Sequence, residues 1–203
     1  MVPKPGGDGR GDLTRRAVID AAIDRFGRDG FRRTSVTSIA RQAQLGSTTT
    51  YVHYPTKEAL FLAAVEEDLA SLFATVVEVI DGSDPSAGPT ALIGILLAEL
   101  DDHPLARRLM AGLEPEMTDQ ILAAEAVSAL GAAVTERVAE GQHLGVIRAD
   151  IAPDVLADGL ISVVIALTMV AVQLGGPRLE QRGAGVDAVF AAILANLPPD
   201  LGS

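Results

Sequence analysis

The 203-residue chain contains no cysteine and no tryptophan. Without cysteine, disulfides, thiol catalysis and cysteine-ligated metals are excluded, and the composition fits a cytoplasmic protein. Aromatic residues are few, and five of the seven (Phe26, Phe31, Tyr51, Tyr54 and Phe61) fall in the first third of the chain. Only Phe73 and Phe190 follow, so stacking cages for flat aromatic molecules are not expected there. Lysine occurs only at positions 4 and 57. The sequence has no glycine-rich phosphate loop, no HExxH and no GxSxG, so neither an enzyme nor a bound cofactor or metal is expected. The opening MVPKPGGDGRGD is rich in Gly and Pro and has no apolar centre. It reads as neither a signal peptide nor an anchor, and residues 1–11 are expected to be a disordered tail.

Charge is divided unevenly along the chain. Residues 1–60 hold ten Lys and Arg against six Asp and Glu, a balance of +4, whereas residues 61–203 carry −15, within an overall −11. A protein this acidic is repelled by nucleic acid unless it presents one localised basic face, and only the N-terminal end supplies one. Apolar residues make up 48% of the chain, which excludes a disordered protein. Strand-like alternation is absent throughout, and the expectation is an all-α fold of about nine helices.

The most informative stretch runs from Thr34 to Leu60. Val36, Ile39, Ala40 and Ala43 fall at i, i+3, i+4 and i+7, a one-sided apolar stripe that predicts a helix of about two turns, capped by Thr34 or Ser35. Gln44-Leu45-Gly46 interrupts it, with Gly46 supplying backbone freedom and Leu45 plugging the angle between two helices. Ser47 to His53 follows as a helix of poor intrinsic propensity, rich in hydroxyls and free of acids, a surface suited to phosphate oxygens and base edges. Upstream, Leu13–Asp29 reads as a first helix stopped by Gly30, and Arg32 and Arg33 precede the second helix. Downstream, Thr56 caps a long helix that starts near Lys57, where a cation opposes the helix dipole unless a phosphate lies nearby.

Gly30, Thr34, Ser35, Val36, Ile39, Ala40, Ala43, Tyr51, His53, Tyr54, Pro55, Lys57, Glu58 and Leu60 together resemble the DNA-binding domain of the TetR family of bacterial repressors. Gln44, Gly46, Thr48 and Thr50 depart from that pattern, standing where a glycine, a capping serine, a second glycine and a large apolar residue are common. The resemblance implies a helix-turn-helix head over residues 12–60 and a ligand-binding, dimerising body over 61–203. It also implies a homodimer on a roughly palindromic operator. Ser47, Thr48 and Thr49 are then candidates for base edges. Tyr51, His53 and Lys57, with Arg33, Thr34, Ser35 and Thr37, are candidates for phosphates.

The body reads as further helices separated by Gly82–Pro89, by Asp101–Pro104 and by Gly141–Pro153, with one long Ala-rich helix from Met117 to Glu140. Glu99, Asp101, Asp102 and His103 bring carboxylates and an imidazole together, but they read as a solvated helix end rather than a metal site. The run from Gly159 to Gly176 has no charge and approaches the length of a membrane span. Asp154, Asp158, Ser162, Thr168 and Gln173 and the lack of basic flanks favour a buried helix, with no membrane contact. A helix apolar all round must be covered, and a second copy packed along helices around Leu156–Gly175 and Val186–Leu197 would cover it. A small apolar ligand, acyl or lactone-like, is expected in the body near Phe73, Leu96, Met110, Met117, Ile121, Ile165 and Met169. The stretch HPLARRLMAGLEPE loosely resembles the regulatory half of TetR-type regulators of lactone and quorum-signal breakdown. The competing readings are an all-α carrier or enzyme for apolar molecules, and a metal-responsive regulator on the same scaffold.

Overall fold

The computed structural model describes residues 8–82, 89–174 and 183–195. Among these there are ten α-helices, one 3-10 turn and no strand. The helices are α1 (Asp8–Asp29), α2 (Val36–Gln42), α3 (Ser47–His53), α4 (Lys57–Gly82), α5 (Pro89–Glu99), α6 (Pro104–Met110), α7 (Thr118–Leu122), α8 (Glu125–His143), α9 (Pro153–Leu174) and α10 (Gly183–Leu194), with the 3-10 turn at Pro115–Met117. The chain forms two compact units, one from residues up to Leu69 plus His103–Ala124, the other from Ala70–Asp102 plus Glu125 onward. The first unit therefore does not end at residue 60. It takes in the first half of α4 and a later segment of about 20 residues.

In the first unit three phenylalanines form the centre. The Phe26 and Phe61 rings meet edge-on at 5.1 Å, and Phe31 approaches Phe61 at 5.1 Å. Val18, Ala22, Ile39, Leu60, Ala64, Leu105 and Ala106 are buried around them. α6 crosses α1 at Gly27, where an added Cβ would lie 2.8 Å from the backbone carbon of Pro104. A buried carboxylate locks α6 to α4: Asp68 accepts the backbone N–H of Ala106 at 2.7 Å and pairs with the His103 ring at 2.9 Å. Glu114, also buried, accepts the Phe31 N–H at 3.0 Å and pairs with Arg108. Gly30 ends α1 with φ +83°, a left-handed backbone suited to glycine, and a side chain there would strike Arg108.

In the second unit α9 packs against α8 and α5, and α10 against α5. Val138, Leu156 and Ala157 form one buried cluster, joined by Val134, Ile147, Ile151, Leu160 and Leu194. Asp187 of α10 accepts the Thr90 N–H at 3.0 Å, satisfying an otherwise free donor in the first turn of α5. The Gln142 side chain donates to the carbonyls of Arg148 and Ile151, both at 2.8 Å, and so pins the loop between α8 and α9.

Several boundaries differ from expectation. α1 begins at Asp8 rather than Leu13, so part of the expected tail is helical, while residues 1–7 lie outside the described residues. The helix expected over Met117–Glu140 is interrupted at Ala123-Ala124. No Gly or Pro forces that break. It falls where the chain leaves one packing unit for the other, so tertiary burial overrides the helical preference of alanine. The last helix spans Gly183–Leu194, three residues earlier at each end than Val186–Leu197, and Gly175, Gly176 and Leu197 lie outside the described residues.

Candidate nucleic-acid interface

α2 is fixed at both ends by local hydrogen bonds. At its start Ser35 and Ser38 form a capping box, the Ser35 hydroxyl accepting the Ser38 N–H at 3.1 Å and the Ser38 hydroxyl accepting the Ser35 N–H at 3.4 Å. At its end the Leu45 N–H reaches the Ala40 carbonyl at 2.8 Å and the Gln44 N–H reaches the Arg41 carbonyl at 3.1 Å. This is a Schellman closure, which requires a left-handed residue between the two donors. That residue is Gln44, at φ 57°. The freedom assigned from sequence to Gly46 is therefore not used: Gly46 is the N-cap of α3 with φ −74° and ψ 143°, an ordinary extended conformation.

The turn delivers α3 with one face inward. Thr50 is fully buried and Tyr54, just past the end of the helix, is largely so, whereas Thr48, Thr49, Tyr51, Val52 and His53 are exposed. The Thr50 hydroxyl has no hydrogen-bond partner, the consequence of placing threonine where an apolar side chain would fill the same space. The Arg15 side chain donates to the Tyr54 hydroxyl at 3.1 Å, and this bond is the main cause holding the Arg15 guanidinium above its ordinary pKa.

Most of the expected contact residues lie on the surface of this head, with one exception. Ser35, Thr37, Thr48, Thr49, Tyr51 and His53 are exposed, Ser47 and Lys57 are half-buried, and Arg33 is exposed with its Nε donating to the Asp29 carbonyl at 2.9 Å. Thr34 is buried at 3% exposure, and its hydroxyl donates to the Gly30 carbonyl at 2.8 Å and the Arg25 carbonyl at 3.3 Å. The structure thus removes Thr34 from the phosphate candidates: its proton is engaged in tying down the end of α1. Lys57 lies 4.4 Å above the centre of the Phe31 ring and donates to the Arg32 carbonyl at 3.5 Å, so its charge is partly held by the head itself. Arg32 pairs with Glu116 at 2.7 Å. Glu116 in turn sits below the usual carboxylate range, through a backbone hydrogen bond first and the Arg32 contact second. Val52, 78% exposed on α3, is a surface residue that sequence reasoning passed over. The signal was its apolar side chain opposite Thr50 in a helix otherwise made of polar residues.

The seven residues expected to line one ligand site do not fall in one unit. Met110, Met117 and Ile121 belong to the first unit, and Phe73, Leu96, Ile165 and Met169 to the second. Of these, Phe73 lines a groove of about 520 Å³ between α4 and α8, together with Ala70, Ala74, Val77, Ala126, Ala129 and Leu130, with Glu78 and Asp81 at its margin. Met117 is buried, filling the core beneath the 3-10 turn. His103 is buried rather than part of a solvated helix end, because its ring pairs with the buried carboxylate of Asp68 at 2.9 Å.

Residues 18–64 match the family model described as bacterial regulatory proteins, tetR family. Over 95 residues the chain is 30% identical to the HTH-type transcriptional regulator RutR of Escherichia coli, a match covering 47% of this chain and 45% of RutR. The chain thus spans less than half the length of that curated relative. A TetR-family transcriptional regulator from Pectobacterium atrosepticum superposes with a TM-score of 0.72 at 18% identity, over 93% of this chain and 98% of that one. FadR from Bacillus subtilis, solved in complex with stearoyl-CoA, superposes with a TM-score of 0.66 at 17% identity, over 89% and 99% of the two chains. These likenesses extend the common fold well beyond the head, and residues 18–64 match the N-terminal domain of the tetR family.

Proposed function

We propose that this protein is a ligand-responsive transcriptional repressor that binds a roughly palindromic operator as a homodimer. The observation that carries the reading is α3. Its inner face is anchored by Thr50, and its outer face presents hydroxyls, a phenol and an imidazole with no acid among them. Placed in a major groove, Ser47, Thr48 and Thr49 would meet base edges. Arg33, Ser35, Thr37, Tyr51, His53 and Lys57 would take backbone phosphates. The test is selection of genomic fragments by the purified protein, repeated with a Thr49→Ala, Tyr51→Phe variant. Both residues are exposed, so the variant keeps its fold. Enrichment of a palindromic site that the variant loses is the expected result, and no enrichment by folded, dimeric protein would sink the assignment.

The exposed apolar stripe on the last two helices supports dimerisation there. Val155, Val163, Val170 and Leu174 on α9, and Val189 and Ile193 on α10, are each exposed by 39% or more. α9 is long and apolar enough to cross a membrane by composition alone, and 28% of its most apolar window is buried within the chain. Its other faces already pack on α8 and α5, and its N-terminal half carries Asp154 and Asp158. A second copy covers such a one-sided stripe at lower cost than lipid, because those acids would have to be desolvated in a bilayer. On this reading the protein acts in the cytoplasm, where its operator lies.

For the ligand, the groove beside Phe73 favours an aliphatic molecule. Four alanines leave a smooth apolar wall with one aromatic ring and no stacking pair. The fold neighbour solved with stearoyl-CoA supports an acyl or lactone-like class. Such a ligand releases the operator only if it binds the released arrangement better than the DNA-bound one. Titrating stearoyl-CoA and a dodecanoyl lactone into labelled operator complex is the direct check. The expected outcome is release by one of them, abolished when Ala129→Phe fills the groove.

A further inference from the structure

We propose that the operator is read chiefly through thymine methyl groups, and that Val52 is the residue that reads them. This rests on the DNA-binding assignment above and extends it to the chemistry of recognition. At about 100° per residue, Thr48 and Val52 each lie about 160° from Thr50, one on either side. Since Thr50 is fully buried, Thr48 and Val52 form the ridge of α3 farthest from the core, one helical turn apart. Val52 is 78% exposed, the largest exposure of any apolar residue in the helix. Thr49 and Tyr51 flank the ridge. His53 lies only about 60° from Thr50, on the side nearer the core.

The side chains that read bases by paired hydrogen bonds are absent from this helix. Guanine is read by Arg or Lys, adenine by Asn or Gln, and cytosine by Asp or Glu. Ser47 to His53 contains none of the six. Hydroxyls accept or donate to either member of a pair and discriminate weakly. What remains on the ridge with a strong preference is the methyl surface of Val52 and of Thr48. The complementary feature in the major groove is the C5 methyl of thymine, the one apolar group a base pair shows there. The local geometry supports such a contact: Gln44 closes α2 tightly, and Ser47 and Thr48 are short enough to let α3 approach the base edges.

The experiment replaces thymine by deoxyuridine, one position at a time, in an operator obtained by fragment selection. This change removes a methyl and leaves every hydrogen-bonding group in place. Binding is measured at a single fixed salt concentration, because the phosphate contribution varies steeply with salt. The expected result is that one or two positions in each half-site weaken binding by roughly fourfold, the factor for burying one methyl-sized group. The symmetric pair together then weakens it by roughly fifteenfold. Val52→Ala should bind the thymine operator as weakly as the wild type binds the uracil operator, and should no longer distinguish the two. Thr48→Ser, which keeps the hydroxyl and loses only the methyl, applies the same test to the second residue of the ridge. Both side chains are exposed, and circular dichroism checks that the variants remain folded. No penalty at any thymine, or a penalty unchanged in both variants, overturns the inference while leaving DNA binding intact. Failure to select any sequence sinks the DNA-binding assignment and this inference together.

Discussion

Thr50 stands at the junction between the hydrophobic core and the exposed face of α3. Its hydroxyl is buried without a partner, and an unpaired polar group of that kind costs about 1–3 kcal/mol. Thr50→Val keeps the shape and removes the hydroxyl, so it should stabilise the head by about 1 kcal/mol, seen as a higher urea midpoint at unchanged slope. A lower midpoint would mean that the hydroxyl has a partner in solution, such as an ordered water. By local pattern Thr50 reads as one more displayed hydroxyl of Ser47–His53, and only the resemblance marks its position as usually apolar; the core claims it instead. Ser35 and Thr56 are legible as caps, because their partners, Ser38 and Ala59, lie three residues away. Thr34 is not legible, because its hydroxyl bonds the end of the preceding helix across a turn. From sequence it looks like one more hydroxyl beside a helix start.

At the scale of elements, the least legible feature is the segment from α6 to α7. Its helices are short and its sequence carries Pro and acids that read as loop punctuation, yet it belongs to the same compact unit as the head. The join depends on groups far apart in sequence: Asp68 with His103 and Ala106, Glu114 with Phe31 and Arg108, Glu116 with Arg32. The close crossing of α1 and α6 at Gly27 tests it. In an exposed helix Gly→Ala stabilises by about 1 kcal/mol. At Gly27 the new methyl meets backbone of Pro104 and Leu105, which cannot swing aside as a flexible side chain can. Gly27→Ala should therefore destabilise the protein by about 1–3 kcal/mol, measured by thermal unfolding, and a rise in stability would show that the two helices separate readily.

Across the whole molecule, charge and apolar surface divide the labour. The region beyond residue 60 carries −15 and repels DNA, while the head holds the cations. Several of those cations are already engaged: Arg16 with Asp20 and Glu67, Arg28 with Asp24, Arg32 with Glu116. Operator affinity is thus expected to depend on two heads acting together. Val163→Asp combined with Val189→Asp places charges in the exposed stripe of α9 and α10 without touching the head. Light scattering should show a monomer, and operator binding should fall by at least tenfold at the same protein concentration. A variant that stays dimeric would move the interface elsewhere.

Local rules written in the sequence were enough to specify the helical class, the capped α2, the break before α3, the Thr56 cap ahead of α4 and the concentration of cations in the first 60 residues. Each depends on residues within a few positions of one another or on composition. Tertiary structure alone decided that Thr34 is internal, that Gln44 rather than Gly46 takes the left-handed turn, and that α7 and α8 are separate helices. It alone also placed Val52 on the outermost ridge of α3. These outcomes depend on which face of a short helix the core claims, and that is set by Phe26, Phe61, Leu105 and their neighbours, residues brought together from distant parts of the chain.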